Sequence, residues 1–445
     1  MIISWISIID LVKYELQQQE EEGRDVAALK QQWKRLSAQG KVKFSERAER
    51  FYHELQKWKS PQALKNAEPM ELRAIRSQAA GFRSPQTHSS FSKEKLYDKI
   101  LGGWLGRSAG CLLGKPVEKI SREGIRTILK SNGTWPLSNY ITEKGIPQKL
   151  LKRYPWNRHS GRESLRENIL CMPEDDDMNY PMVNLAVAEE YGETFTTEHI
   201  TKMWLANLPV LSTFTAERVA YLNCLNGLQP PNTSLYRNPY REWIGARIRA
   251  DLWGWISPGQ PARAAEYAWR DARLSHVRNG AYAEMFFASA IAACFTRNTV
   301  GEVINDALQF IPRRSRFADA VRFVMSIPIR SRSWDETVDV LYAKFGSYHW
   351  VHSINNSALV VAALLSADGD YERAICNAVM GGWDTDSNGA TVGSIMGTLI
   401  GAKKLPPKWI RPLHDQIRSS LKGFDNSKIT TLARRTFKVA FANTN

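Results

Sequence analysis

Gly102-Gly103-Trp104-Leu105-Gly106-Arg107-Ser108-Ala109-Gly110-Cys111-Leu112-Leu113-Gly114 is a largely apolar run in which Gly102, Gly106, Gly110 and Gly114 recur at every fourth position. That spacing marks one face of an α-helix, and a face without Cβ atoms lets another backbone approach closely. Pro116 ends the helix. Glu118 then lies just past its C-terminus, where the helix dipole disfavours a carboxylate. A cation or a proton-transfer task would explain it there; a solvated surface glutamate is the plainer account. A second stripe with the same spacing, Gly389, Gly393, Gly397 and Gly401, follows the acidic turn at 384–386.

Outward from these stripes the texture is the same. Residues 96–113, 180–191, 197–208, 261–272, 281–295, 355–367 and 389–400 all carry helical spacing, and long alternating Val/Ile/Thr runs are missing. The expected fold is all-α, a compact multi-helix bundle whose helices pack through small residues. Residues 119–170, rich in Lys and Arg, read as a long insertion or loop. Upstream, Leu11, Leu16, Val26, Leu29, Trp33 and Leu36, then Phe44, Phe51, Leu55 and Trp58, predict amphipathic helices with packing faces. Residues 77–92, rich in Ser, Gly and Pro, read as a linker. The expected division is a helical N-terminal extension with linker over 1–90 and a main domain over 91–445. Deleting residues 1–80 is then expected to leave a soluble domain.

Composition narrows the class. Hydrophobic residues make up 43% of the 445, enough for a large core and too many for a disordered chain. The formal net charge of +15 fits either a solvated basic surface or attraction to a polyanion, such as a nucleic acid or a pyrophosphate. Cys111, Cys171, Cys224, Cys294 and Cys376 are scattered and form no CxxC pair, which points to a reducing cytoplasmic setting without a disulfide framework. Residues 2–9 are apolar, but Asp10 and Lys13 follow at once, so a signal peptide is not expected. No apolar stretch approaches the length of a membrane span.

Two acidic clusters carry the chemistry. Glu174-Asp175-Asp176-Asp177 precedes a helical pattern, where one Asp would cap the helix. Three adjacent Asp repel one another, and a hard divalent cation is the natural relief. Gly381-Gly382-Trp383-Asp384-Thr385-Asp386-Ser387-Asn388-Gly389 places two Asp and a hydroxyl in a glycine-flanked turn. An Asx-turn opening a helix is the plain account. Together the clusters offer enough carboxylates for two bridged ions, as in two-metal hydrolytic sites.

These three segments, in this order, resemble the ADP-ribosylglycohydrolase family over residues from about 96 to 413 and beyond. The family pattern is a Gly-rich helix ending in Gly-x-Pro-x-Glu, a Thr-Asp-Asp-Thr-like element and a late Gly-x-Asp-Thr-Asp-Ser/Thr element. Arg270-Asp271-Ala272-Arg273-Leu274-Ser275-His276 and His352-Ser353-Ile354-Asn355-Asn356 add to the match. The resemblance implies hydrolysis of the glycosidic bond between ADP-ribose and an acceptor, with two Mg²⁺ ions, or Mn²⁺ in their place. It implies Asp175, Asp176, Asp177, Asp384, Asp386 and Ser387 as metal ligands, with Glu118 and Asp176 as catalytic residues. It implies Gly114, His276, Asn356 and Gly382 on the substrate side. The register at the first cluster stays open: Glu174 or Asp175 replaces the family's first Thr, and either change adds negative charge. Cys111 stands where the family often has Asp. The implied partner is an ADP-ribosylated protein, with nucleic acid as a further acceptor. The rival reading is an ADP-ribose-binding or partner-blocking protein with a residual metal site.

Overall fold

A computed structural model of the chain describes residues 4–38, 44–83 and 91–443. The expected all-α fold is found. Among the described residues the only sheet is the two-stranded β1 (Gln416–Ile417) and β2 (Ser427–Lys428), and the rest of the regular structure is helical. The N-terminal extension is built on α1 (Ile8–Glu21), α2 (Ala27–Ala38) and α3 (Phe44–Gln56), followed by the short helices Gln62–Ala67 and Leu72–Gln78. The main body is framed by α4 (Lys93–Gly114), α5 (Asp176–Tyr191), α6 (Thr215–Leu225), α7 (Pro261–Ala272), α8 (Arg278–Ala293), α9 (Ser353–Ala367), α10 (Thr385–Ile400) and α11 (Ile429–Ala442). No helix of the described residues is long and apolar enough to cross a membrane.

The two glycine stripes pack against each other. α4 and α10 run antiparallel, with Gly102 facing Gly397, Gly106 facing Gly393, Gly110 facing Gly389 and Gly114 facing Thr385. A Cβ at any of these glycines would fall on a backbone carbonyl of the opposite helix. Both helices are therefore buried along most of their length, and the C-terminus of α4 is held against the N-terminus of α10. The Thr385 hydroxyl donates to the Gly114 carbonyl at 2.8 Å and ties these two ends. At the opposite end, the buried Lys99 ammonium donates to the Leu399 carbonyl at 2.8 Å. There it meets the negative end of the α10 dipole.

Two sequence expectations change. Residues 119–170 are not one long loop. Helices Arg122–Ser131 and Gln148–Arg153 form within them, and Ile125, Ile128, Leu129, Leu137, Tyr140 and Ile141 are buried. The basic residues masked an amphipathic pattern. Of the expected linker, Ser77 and Gln78 close the helix Leu72–Gln78, and Ala80–Arg83 is a 3-10 turn docked on Phe310. Residues 84–90 lie outside the described residues.

The N-terminal extension is docked through charge. Leu11, Val12, Leu16, Val26, Phe51, Tyr52 and Leu55 close a small core among α1–α3. Beneath it lies a layer of ion pairs in which buried glutamates meet partly buried arginines. Arg241 reaches Glu15 at 2.8 Å and Glu22 at 2.7 Å. Arg278 reaches Glu22 at 2.9 Å. Arg316 bridges Glu68 at 2.8 Å and Glu242 at 2.9 Å. Removing one side of a buried pair leaves an uncompensated charge, which costs about 3–5 kcal/mol. Deleting residues 1–80 takes Glu15, Glu22 and Glu68 away from these arginines. The truncated chain is thus expected to unfold at markedly lower temperature or to precipitate, contrary to the linker reading; thermal unfolding of the two lengths side by side checks this.

The helix contact makes a second prediction. Gly106→Ala and Gly393→Ala force backbones apart and should each destabilise by roughly 1–3 kcal/mol. Gly301→Ala, at a helical position with open space around the new methyl group, should be neutral or slightly stabilising. Urea unfolding midpoints separate the two classes.

Candidate active site

Three helix ends meet in one cleft: the C-terminus of α4 and the N-termini of α5 and α10. Its walls include Lys115, Glu118, Asp175, Asp176, Asp177, Asp384, Asp386 and Ser387. Two helix N-termini aimed at one point favour negative charge there, which offsets part of the repulsion among the carboxylates.

The start of α5 is set by a proline. Asp175 is the N-cap, and its side chain accepts from the Asp177 amide at 2.9 Å. A threonine hydroxyl can make the same bond. Pro181 lies inside α5 and has no N–H for the Asp177 carbonyl. The Arg107 guanidinium takes that carbonyl instead, from Nε at 2.9 Å and Nη2 at 2.7 Å. Arg107 also pairs with the Asp177 carboxylate at 3.0 Å and with Asp251 at 2.8 Å. The helical spacing in the sequence covers residues 180–191. The helix begins at Asp176 because Arg107 satisfies the orphaned carbonyl.

The turn into α10 is held from behind. The Asn356 side-chain oxygen accepts from the Asp384 amide at 3.1 Å and from Asn388 Nδ2 at 2.9 Å. Its own amide donates to the carbonyls of Trp350 at 2.8 Å and His352 at 2.9 Å. Arg247 donates to Asn388 Oδ1 at 2.8 Å, so its buried charge sits beneath the Asp384 turn. Ser387 Oγ donates to Asp177 Oδ2 at 2.9 Å and joins the two acidic clusters.

Glu118 completes the cleft. It follows the 3-10 turn Lys115–Val117, and Asn157 from the basic segment donates to its carboxylate. Lys119 Nζ lies 3.6 Å from its other oxygen. Glu118, Asp384 and Asp386 each bring a carboxylate oxygen within 4.8 Å of the others. Burial first, then the charges of Asp386 and Glu118, hold the Asp384 carboxyl well above the usual range. Burial, with Asp175 and Asp177, raises Asp386 as well. Three hard oxygen donors with surplus negative charge fit one divalent cation. The second grouping, Cys111, Asp175 and Asp177, is different. Lys115 pairs with Asp175, and Arg107 and Ser387 engage the two oxygens of Asp177. Those residues do not fit a second ion.

The structure thus brings Glu118, Asp175, Asp176, Asp177, Asp384, Asp386 and Ser387 together. It does not bring the four expected substrate residues to the cleft wall. Gly114 is spent on the contact with Thr385, and Gly382, at φ 80°, packs against Tyr342 and Arg122. Asn356 is fully buried behind the turn. His276 lies in the interior, its Nδ1 2.8 Å from the Ser275 hydroxyl, and burial followed by Arg249 pushes its pKa well down. These side chains act on the site through packing and hydrogen bonds. The cleft residues that pattern reading missed are Lys115, Arg107 and Arg247 below, and Trp5, Phe214, Trp243 and Trp350 around the outer wall. Of these, Lys115 lies within the Gly-x-Pro-x-Glu motif, and its type in that slot was the available signal.

The ADP-ribosylglycohydrolase family profile matches residues 92–444. The chain belongs to that family. No curated protein matches it. A solved structure described as an "ADP-ribosylglycohydrolase-related protein complex" is 19% identical, with a TM-score of 0.49, over 78% of this chain and 99% of that one.

Asn356→Ala removes the acceptor that fixes the Asp384 amide. Loss of such a supporting hydrogen bond typically weakens metal binding or activity 10–100-fold. Mn²⁺ titration of this variant should show that weakening with the helical circular dichroism retained.

Proposed function

We propose that this protein hydrolyses the glycosidic bond between ADP-ribose and an acceptor, with a divalent cation, Mg²⁺ or Mn²⁺, held by Glu118, Asp384 and Asp386. The observation that carries the reading is the convergence of these three carboxylates at the ends of the glycine-paired helices, in a chain of this family. A bound cation would supply Lewis-acid stabilisation of charge near the ribose.

The chain's own residues do the rest. Glu118, at the open side of the cluster, takes a proton from the attacking water as general base. Asp176 opens α5 at the cleft wall, where it orients that water or a ribose hydroxyl. The bond breaks through an oxocarbenium-like state, which the surrounding carboxylates stabilise. Trp5 and Trp350, backed by the buried Trp243, offer apolar surface for a nucleobase, and Lys119 offers a cation for the pyrophosphate. The acceptor is a protein side chain in this reading, and the +15 net charge keeps nucleic acid as an alternative acceptor.

One observation favours a second reading, that of an ADP-ribose-binding or partner-blocking protein. The Lys115–Asp175 pair puts an ammonium inside the acidic cleft.

Incubation with Mg²⁺ and a panel of ADP-ribosylated proteins and nucleic acids decides between them. The wild type should release free ADP-ribose, and EDTA should stop it. Asp384→Ala should abolish release. Glu118→Gln removes a charged cation ligand together with the proton acceptor, so turnover should fall at least roughly 10²–10⁴-fold and Mn²⁺ binding should weaken with it. Binding of ADP-ribose without release from any acceptor would establish the second reading.

A further inference from the structure

We propose that the site holds a single divalent cation, and that the Lys115 ammonium stands as a fixed positive charge where a second ion would sit. The inference rests on the metal reading above and deepens it.

The two halves of the acidic site are treated differently. On the Glu118–Asp384–Asp386 side, three carboxylates converge, and the lysine beside Glu118, Lys119, is exposed and 3.6 Å away. On the other side both carboxylates of the Cys111–Asp175–Asp177 grouping stand in buried ion pairs. Lys115 is almost fully buried, and its Nζ pairs with Asp175 Oδ2. Asp177 accepts from Arg107 at 3.0 Å on one oxygen and from Ser387 at 2.9 Å on the other. The remaining member, Cys111, offers a sulfur, a poor ligand for a hard cation.

Geometry makes the exclusion stronger than simple competition. Lys115 sits in the 3-10 turn Lys115–Val117, between Gly114, pressed on Thr385, and Pro116. Its backbone is fixed by the same contact that sets Glu118, which holds the base of its side chain beside Asp175. A divalent cation bound to Asp175 would face that ammonium at a few ångströms in a poorly solvated site, where charge repulsion is large. Asp175 and the lysine then form one unit. The negative charge of Asp175 is met by Lys115 rather than by a metal.

Mn²⁺ binding to the full chain tests this, by calorimetric titration and by electron paramagnetic resonance. Two ions in one site give a spin-coupled spectrum, and a lone ion does not. The wild type should bind one Mn²⁺ with an uncoupled spectrum. Lys115→Met frees Asp175 and should raise the count to two with coupling. Lys115→Met with Asp175→Asn removes both charges and should return it to one; its circular dichroism shows that the fold survives. Two coupled ions in the wild type would overturn the inference and leave the hydrolase reading standing. So would a folded Lys115→Met variant that still binds one. A wild type that binds no Mn²⁺ would overturn both the inference and the metal site beneath it, and the release assay would then judge hydrolysis separately.

Discussion

The backbone contact between α4 and α10 is the constraint from which the site follows. Helices normally sit 8–10 Å apart because side chains separate them. Here seven glycines leave nothing between them but carbonyls and Cα atoms. The pairing has a fixed register, since each glycine faces a defined partner. It therefore sets the end of α4 against the start of α10 without the slack that longer side chains would leave. Glu118 and the Asp384–Asp386 turn, far apart in sequence, owe their proximity to this contact. Trp104 and Thr436, bonded at 3.0 Å, and the Tyr371 hydroxyl on the Gly106 carbonyl at 3.0 Å brace the pair from outside.

Charge is distributed around this scaffold with a consistent logic. Arg107, Lys115 and Arg247 are all buried, and each answers a specific liability: the carbonyl orphaned by Pro181, the aspartate at the cap, and the turn beneath Asp384. Ions this deep in the protein are costly unless paired, so their presence marks where the fold needs a fixed positive charge. At the open side the cation next to Glu118 is Lys119, which is exposed rather than buried.

Much of this was legible in the sequence. The four-residue glycine period announced two helices with bare faces, and the acidic clusters announced a concentrated negative charge. What could not be read was the partner of each face, because periodicity reports one helix at a time. Helix starts were also misplaced where polar residues open the helix. Residues 176–179 and 385–388 lack the apolar spacing that reveals a helix, yet they begin α5 and α10. Arg107, Lys115 and Arg247 escaped notice because a lone basic residue has no pattern. Its meaning comes from the carbonyl or carboxylate that the fold delivers to it. The basic segment 119–170 misled for the opposite reason, its surface charge hiding a buried apolar face.

The cleft has two builders. Its acidic floor comes from residues inside the 92–444 family match, but part of its rim does not. Trp5 borders the cleft beside Trp243, and it is pinned there by the Tyr240 hydroxyl on its carbonyl at 2.9 Å and by the Asp10 carboxylate on its amide at 3.0 Å. The part of the pocket that meets the outer portion of a ligand is thus written in a segment that can vary independently of the chemistry. Changes within the first dozen residues would retune what the protein recognises while every acidic residue stays in place.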